Sequence, residues 1–114
     1  MPYIAVNTTQ KLSTDEKEKI KTELGRLITI LPTKTEAKTL IDFSDSRTFY
    51  KGGVEVAGAF IDVRLFRKAE FEPKKKFVEE TFEMLSRELG IAKDNMYLNI
   101  AEFDTWGSAG TFKQ

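Results

Sequence analysis

The sequence predicts an α/β fold: two βαβ units forming a four-stranded mixed sheet with both helices on one face. Three observations predict it. Short β-branched runs alternate with longer stretches whose apolar residues recur at helical spacing. The order is strand, helix, strand, then strand, helix, strand again, so residues 2–45 and 57–104 read as a pseudo-repeat inside a single domain, 1–114. The closing strands of the two halves also echo each other, as LIDFSD at 40–45 and YLNIAEFD at 97–104.

Residues 3–8 (YIAVNT) are the first strand. Ser13 and Glu16 then have capping-box spacing, and Ile20, Leu24, Leu27, Ile28 and Leu31 give the helix its apolar stripe before Pro32 forbids continuation. Residues 39–44 alternate as a strand. Residues 45–53 have loop composition and end on Gly52-Gly53. A long strand over 58–66 precedes a helix opened by Pro73, with Val78, Phe82, Leu85 and Leu89 on one stripe and Gly90 as its cap. The last strand is 96–103, followed by a tail holding Trp106, Gly107, Gly110 and Phe112. Lys74-Lys75-Lys76 and Glu79-Glu80 read as solvated helix surface.

Right-handed crossovers put both helices on one side of the sheet. Alternation then assigns Ile41, Phe43, Ala59, Ile61, Val63, Leu65, Met96, Leu98 and Ile100 to the helix-covered face. The other face carries Asp42, Phe60, Asp62, Arg64, Tyr97, Asn99 and Phe103. Such a face fits either the half-solvated sheet of a monomer or packing against other subunits around a polar centre.

Composition removes many chemistries. Hydrophobic residues make up 40% and charged residues 32%, an ordinary globular mixture. Eighteen basic residues balance eighteen acidic ones, so the chain lacks the basic surplus of a nucleic-acid binder. No stretch is apolar enough for a membrane span, and no signal-peptide pattern opens the chain, so the expected compartment is the cytoplasm. With no histidine and no cysteine, Ser–His–Asp and Cys–His catalysis, zinc fingers and disulfides are excluded. A base must come from a carboxylate, a lysine, a tyrosine or the α-amino group.

The start Met1-Pro2 running straight into a strand, the stretch from Lys34 to Gly53, and MYLNIAEFD at 96–104 together resemble the tautomerase superfamily. The resemblance is to its macrophage migration inhibitory factor branch and runs through nearly the whole chain. It implies a cofactor-independent keto–enol tautomerase of small 2-oxo acids, built as a homotrimer, with neither metal nor organic cofactor. It implies that Pro2, once Met1 is removed, is the general base and that Lys34 is the catalytic lysine holding a substrate oxygen. By the same resemblance Phe66 offers its backbone N–H to the substrate carboxylate, and Tyr97 and Asn99 reach the pocket of a neighbouring subunit. Trp106 and Phe112 correspond to tail aromatics of the pocket. A retained Met1 makes the Pro2 nitrogen a tertiary amide with no basic lone pair, and such a chain is expected to be inactive.

The sequence also departs from that family. Its frequent Cys-x-x-Cys pair is absent from the region Gly58-Ala59-Phe60-Ile61, so thiol oxidoreductase activity is excluded. Phe66-Arg67 replaces a small Ile-Gly step, and Lys38 replaces a pocket tyrosine. Lys38, Arg67 and Lys68 are therefore expected at the mouth of the Lys34 pocket, favouring a more acidic substrate. The alternative has Lys38 and Lys68 paired with Glu36 and Glu70 in solvent. Two other functions stay open: a proline-dependent decarboxylase or hydratase, and a non-catalytic, cytokine-like binding trimer.

Overall fold

Ser13 caps the first helix as its spacing requires: its hydroxyl accepts from the Glu16 N–H at 3.1 Å, and the Glu16 carboxylate accepts from the Ser13 N–H at 2.9 Å. The structure, a computed structural model, describes residues 1–114. In chain order it contains β1 (Tyr3–Thr8), α1 (Thr14–Leu27), β2 (Leu40–Ser44), β3 (Phe49–Lys51), β4 (Val54–Val56) and β5 (Ala59–Phe66). There follow α2 (Phe71–Leu89), β6 (Met96–Phe103), β7 (Trp106–Ser108) and β8 (Thr111–Lys113).

The main sheet has the order β2-β1-β5-β6. β1 and β5 run antiparallel at its centre, and each has an outer strand parallel to it. The antiparallel centre positions the site, because Tyr3 at the start of β1 lies opposite Arg64 near the end of β5. The start of the chain, the end of β5 and the end of β6 thus share one end of the sheet.

The faces follow the alternation. Ile4, Val6, Ile61, Val63 and Leu65 are fully buried under the helices and pack with Ile20, Leu24, Leu27, Phe77, Met84 and Leu85. Ile41, Phe43, Leu98 and Ile100, on the outer strands, lie at the margin of this core and are only partly covered. On the open face the Tyr3 hydroxyl donates to Asp42 at 2.9 Å, and the Arg64 guanidinium meets Asp62 at 3.2 Å. Phe60, Tyr97 and Phe103 are exposed there, each by more than two fifths of its surface, at 41%, 46% and 43%.

Four expectations are corrected. The second helix begins at Phe71, and Pro73 sits in its first turn, where a missing N–H costs no intrahelical bond. Its buried stripe is Phe77, Thr81, Met84, Leu85 and Leu89, while Val78 and Phe82 are half-buried beside β6. Lys74 is not solvated: it pairs with Glu102 at 3.0 Å, with 19% of its side chain exposed. Residues 45–53 and the tail are not plain loops but contribute two hairpins, β3–β4 and β7–β8. Gly52 and Gly53 (φ 59° and 79°), and Ala109 and Gly110 (51° and 82°), supply the paired positive φ values of tight two-residue turns. No helix is long and apolar enough to cross a membrane.

Candidate functional site

α1 ends in a 3-10 turn over Ile28–Ile30, after which Thr33 takes a positive φ of 69° and the Lys34 N–H returns to the Leu31 carbonyl oxygen at 3.1 Å. This tight reversal aims Lys34 at the end of β5, where its Nζ donates to the Phe66 carbonyl oxygen at 3.0 Å. Burial lowers the pKa of the Lys34 ammonium. The start of the chain is held by the Leu40 N–H, which donates to the Pro2 carbonyl oxygen at 3.0 Å, and Pro2 is buried.

The Phe66 peptide has a defined direction. The Arg67 N–H donates to the Phe103 carbonyl oxygen on β6 at 2.7 Å. Strand alternation therefore turns the N–H and C=O of Phe66 the other way, toward β1, whose ladder with β5 ends at Tyr3. Phe66 can offer a backbone donor beside Pro2 in that position.

Met1, Lys34, Lys38, Phe66, Arg67 and Lys68 line one cleft of about 720 Å³, with Lys113 at its wall. A hollow of about 330 Å³ adjoins it through Met1, Lys38 and Ser108, and is lined also by Pro2, Leu40 and Trp106. The Trp106 ring lies tilted, 6.2 Å from the Phe66 ring and 6.3 Å from that of Phe103, forming an aromatic wall. The Met1 amine in this cleft has its pKa lowered from 8.0, first by burial and then by the charges of Lys34, Lys113 and Lys38. The arrangement can hold an anion, and it disfavours the charged form of an amine beside it.

Pro2, Lys34, Lys38, Phe66, Arg67 and Trp106 are thus brought to one end of the sheet. Tyr97 and Asn99 are not. Tyr97 pairs with Phe60 near the opposite end of β5 and Asn99 with Asp62 at its middle, and neither lines the hollows beside Pro2. Tyr97 lines a separate hollow of about 360 Å³ with Phe49, Phe60 and Asn95, its ring 5.3 Å from the Lys51 ammonium. Phe112 is 74% exposed and lines neither hollow beside Pro2. Lys113 and Ser108 were missed by sequence reasoning. The signal was available in Trp106-Gly-Ser-Ala-Gly-Thr-Phe-Lys113, two alternating triplets around a two-residue turn. No three carboxylates, histidines or cysteines converge as they would to hold a metal ion.

No protein-family model and no curated protein matches the sequence. Solved structures do match. The chain superposes on Leishmania major MIF2 with a TM-score of 0.91 at 18% identity, covering 99% of this chain and 97% of that one. Against the macrophage migration inhibitory factor-like protein of Entamoeba histolytica the TM-score is 0.85 at 19% identity, with 98% of each chain covered. Pt0534, solved after inactivation by 2-oxo-3-pentynoate, gives 0.83 at 14% identity over 95% of this chain and 93% of that one. Likeness at these identities establishes the fold.

Proposed function

We propose that this chain, which has the fold of the macrophage migration inhibitory factor-like and tautomerase-superfamily proteins, is a cofactor-independent tautomerase of small 2-oxo acids. The observation that carries the reading is the meeting of the chain start, Lys34 and the Phe66 peptide in one cationic cleft. With Met1 removed, the Pro2 nitrogen is a secondary amine. Burial and neighbouring cations favour its neutral form, which is the form that can act as a base. In the enol-to-keto direction the amine takes the enol hydroxyl proton, and the resulting ammonium returns a proton to C3. Lys34 stabilises the negative charge that grows on the C2 oxygen, and the Phe66 N–H orients the carboxylate. Lys38, Arg67 and Trp106 complete the walls.

Tyr97 and Asn99 enter this reading through assembly. Neither lines the hollows beside Pro2 within one chain, and both lie on an open sheet face carrying exposed aromatic rings. In a homotrimer they would complete the neighbour's cleft, and the same face would be covered. The inactivation of Pt0534 by a 2-oxo acid supports the substrate class by analogy.

The test is loss of the enol absorbance of phenylpyruvate, using protein whose lack of Met1 is verified by intact mass. Activity that falls at least about tenfold in Pro2→Gly supports the tautomerase. Equal rates in the two proteins, or none in either, turn the conclusion to a binding trimer.

A further inference from the structure

The cleft beside Pro2 holds five cationic side chains, Lys34, Lys38, Arg67, Lys68 and Lys113, and one carboxylate, Glu70. None of the five forms an ion pair with an Asp or Glu side chain. Lys68 also lies in the field of Glu102, on the other side of its loop. For the remaining four, the cleft offers no Asp or Glu side chain other than Glu70. Cations gathered this closely repel one another unless an anion joins them.

Three of the cations converge on one residue. Lys34 donates to the Phe66 carbonyl oxygen, while the Arg67 guanidinium lies 4.9 Å and the Lys113 ammonium 5.7 Å from the Phe66 ring. That ring is therefore flanked by two cations. Arg67 also has a φ of 74°, which costs a side-chain-bearing residue roughly 1 kcal/mol. One Arg67 nitrogen donates to the main-chain oxygen of Gln114, the last residue of the sequence, at 2.9 Å, leaving its other donors for a ligand.

We infer that Arg67 and Lys113 form a second anion subsite, through which the cleft selects 2-oxo acids bearing a second carboxylate over mono-acids. The inference rests on the tautomerase reading for the 2-oxo end of the ligand, and on the convergence at Phe66 for the other end. The Arg67 fork suits the two oxygens of a carboxylate, and Lys113 adds a movable charge from the last hairpin.

The experiment is calorimetric titration of Met1-free protein with 2-oxoglutarate and with 2-oxopentanoate, a five-carbon acid lacking the second carboxylate. Titrations are run at about 50 and about 200 mM salt, a range over which exposed charges are increasingly screened. At low salt the diacid should bind about tenfold tighter or better, the usual worth of a charge-assisted contact. That advantage should shrink with salt and fall toward unity in Arg67→Gly and in Lys113→Gln. Arg67→Gly should fold, since glycine takes a positive φ freely, and a thermal melt checks it. Equal affinity for both acids in the unsubstituted protein overturns the subsite and leaves the tautomerase reading standing. A diacid preference that survives both substitutions also overturns it. Binding of neither acid, with no phenylpyruvate turnover, overturns both.

Discussion

The Lys34 ammonium and the Phe66 carbonyl oxygen, 32 positions apart in sequence, are joined by a 3.0 Å hydrogen bond. It ties the reversal after α1 to the last residue of β5 and fixes the lysine beside the start of the chain. One contact thus serves both the packing of a loop and the geometry of the cleft.

Lys34→Ala should separate these two roles. Losing one partly exposed hydrogen bond should cost stability only about 1 kcal/mol. Losing a charge aimed at a developing oxyanion should lower kcat/KM by about 100-fold. Thermal melts and enol turnover measured on the same protein check the contrast, and a loss confined to stability would contradict the assigned role.

The acid limb of activity should respond to remote cations. The Met1 amine has a pKa lowered from 8.0, by burial first and then by Lys34, Lys113 and Lys38, and in Met1-free protein the Pro2 amine should feel the same cations. A base works when unprotonated, so activity rises with pH through that pKa. Lys113→Gln removes a like charge, raises the amine pKa and moves the acid limb of kcat/KM to higher pH. High salt should move it the same way in the unsubstituted protein. A limb that does not move places Lys113 outside the amine's field.

Glu102 supplies a stability prediction with a defined sign. Burial opposes its ionisation, but the Ala69 N–H at 2.6 Å and the Lys74 ammonium at 3.0 Å outweigh that and hold its pKa below 4.5. A depressed carboxyl stabilises the fold above its unfolded pKa, and the contribution is lost as pH falls through the folded value. Glu102→Gln should therefore destabilise by about 1–3 kcal/mol near neutrality. The difference should close as pH falls below the ordinary glutamate range, a trend that denaturant titrations at several pH values would resolve.

Two glycines should fail for different reasons. Gly90 closes α2 with a φ of 66°, and a Cβ there meets nothing within 4 Å, so Gly90→Ala should cost only the backbone penalty of about 1 kcal/mol. Gly58 has an ordinary φ, but its Cβ would lie 2.8 Å from the Asn95 carbonyl oxygen. Backbone must move, so Gly58→Ala should cost about 2 kcal/mol or more. Denaturation midpoints that reverse this order would contradict the packing at the start of β5.

Assembly gives the last prediction. Native mass in solution should be three times the 13.0 kDa chain mass at micromolar concentration. A monomer would leave Tyr97 and Asn99 with no route to the Pro2 cleft.

Most of the fold was legible because its signals are local. The Ser13–Glu16 box, the Gly90 cap and the strict alternation of β5 each depend on neighbours in sequence. Leu85 and Leu89 were read correctly in the stripe of α2, but its first half was read one position off, as Val78 and Phe82, because Thr81 is fully buried and gives no hydrophobic signal. The hairpins were hidden by strands of three residues, too short for periodicity to register. At the site, Pro2, Lys34 and Phe66 were found through resemblance, not pattern. Lys113 depends on how the last hairpin folds back, and Lys74 on a partner 28 positions away.

The antiparallel centre of the sheet makes the two halves of the chain near-equivalents under a half-turn, with Gly58 before β5 standing where Pro2 stands before β1. The two positions nonetheless differ in kind. The nitrogen of Gly58 is an amide that donates to the Thr9 hydroxyl at 3.0 Å, and no substitution can make it an amine. Repeating a unit copies its side chains and its turns but never its free end. A reaction that runs on a terminal nitrogen is therefore confined to one of two matching corners, and the other corner is left at liberty to serve a neighbour.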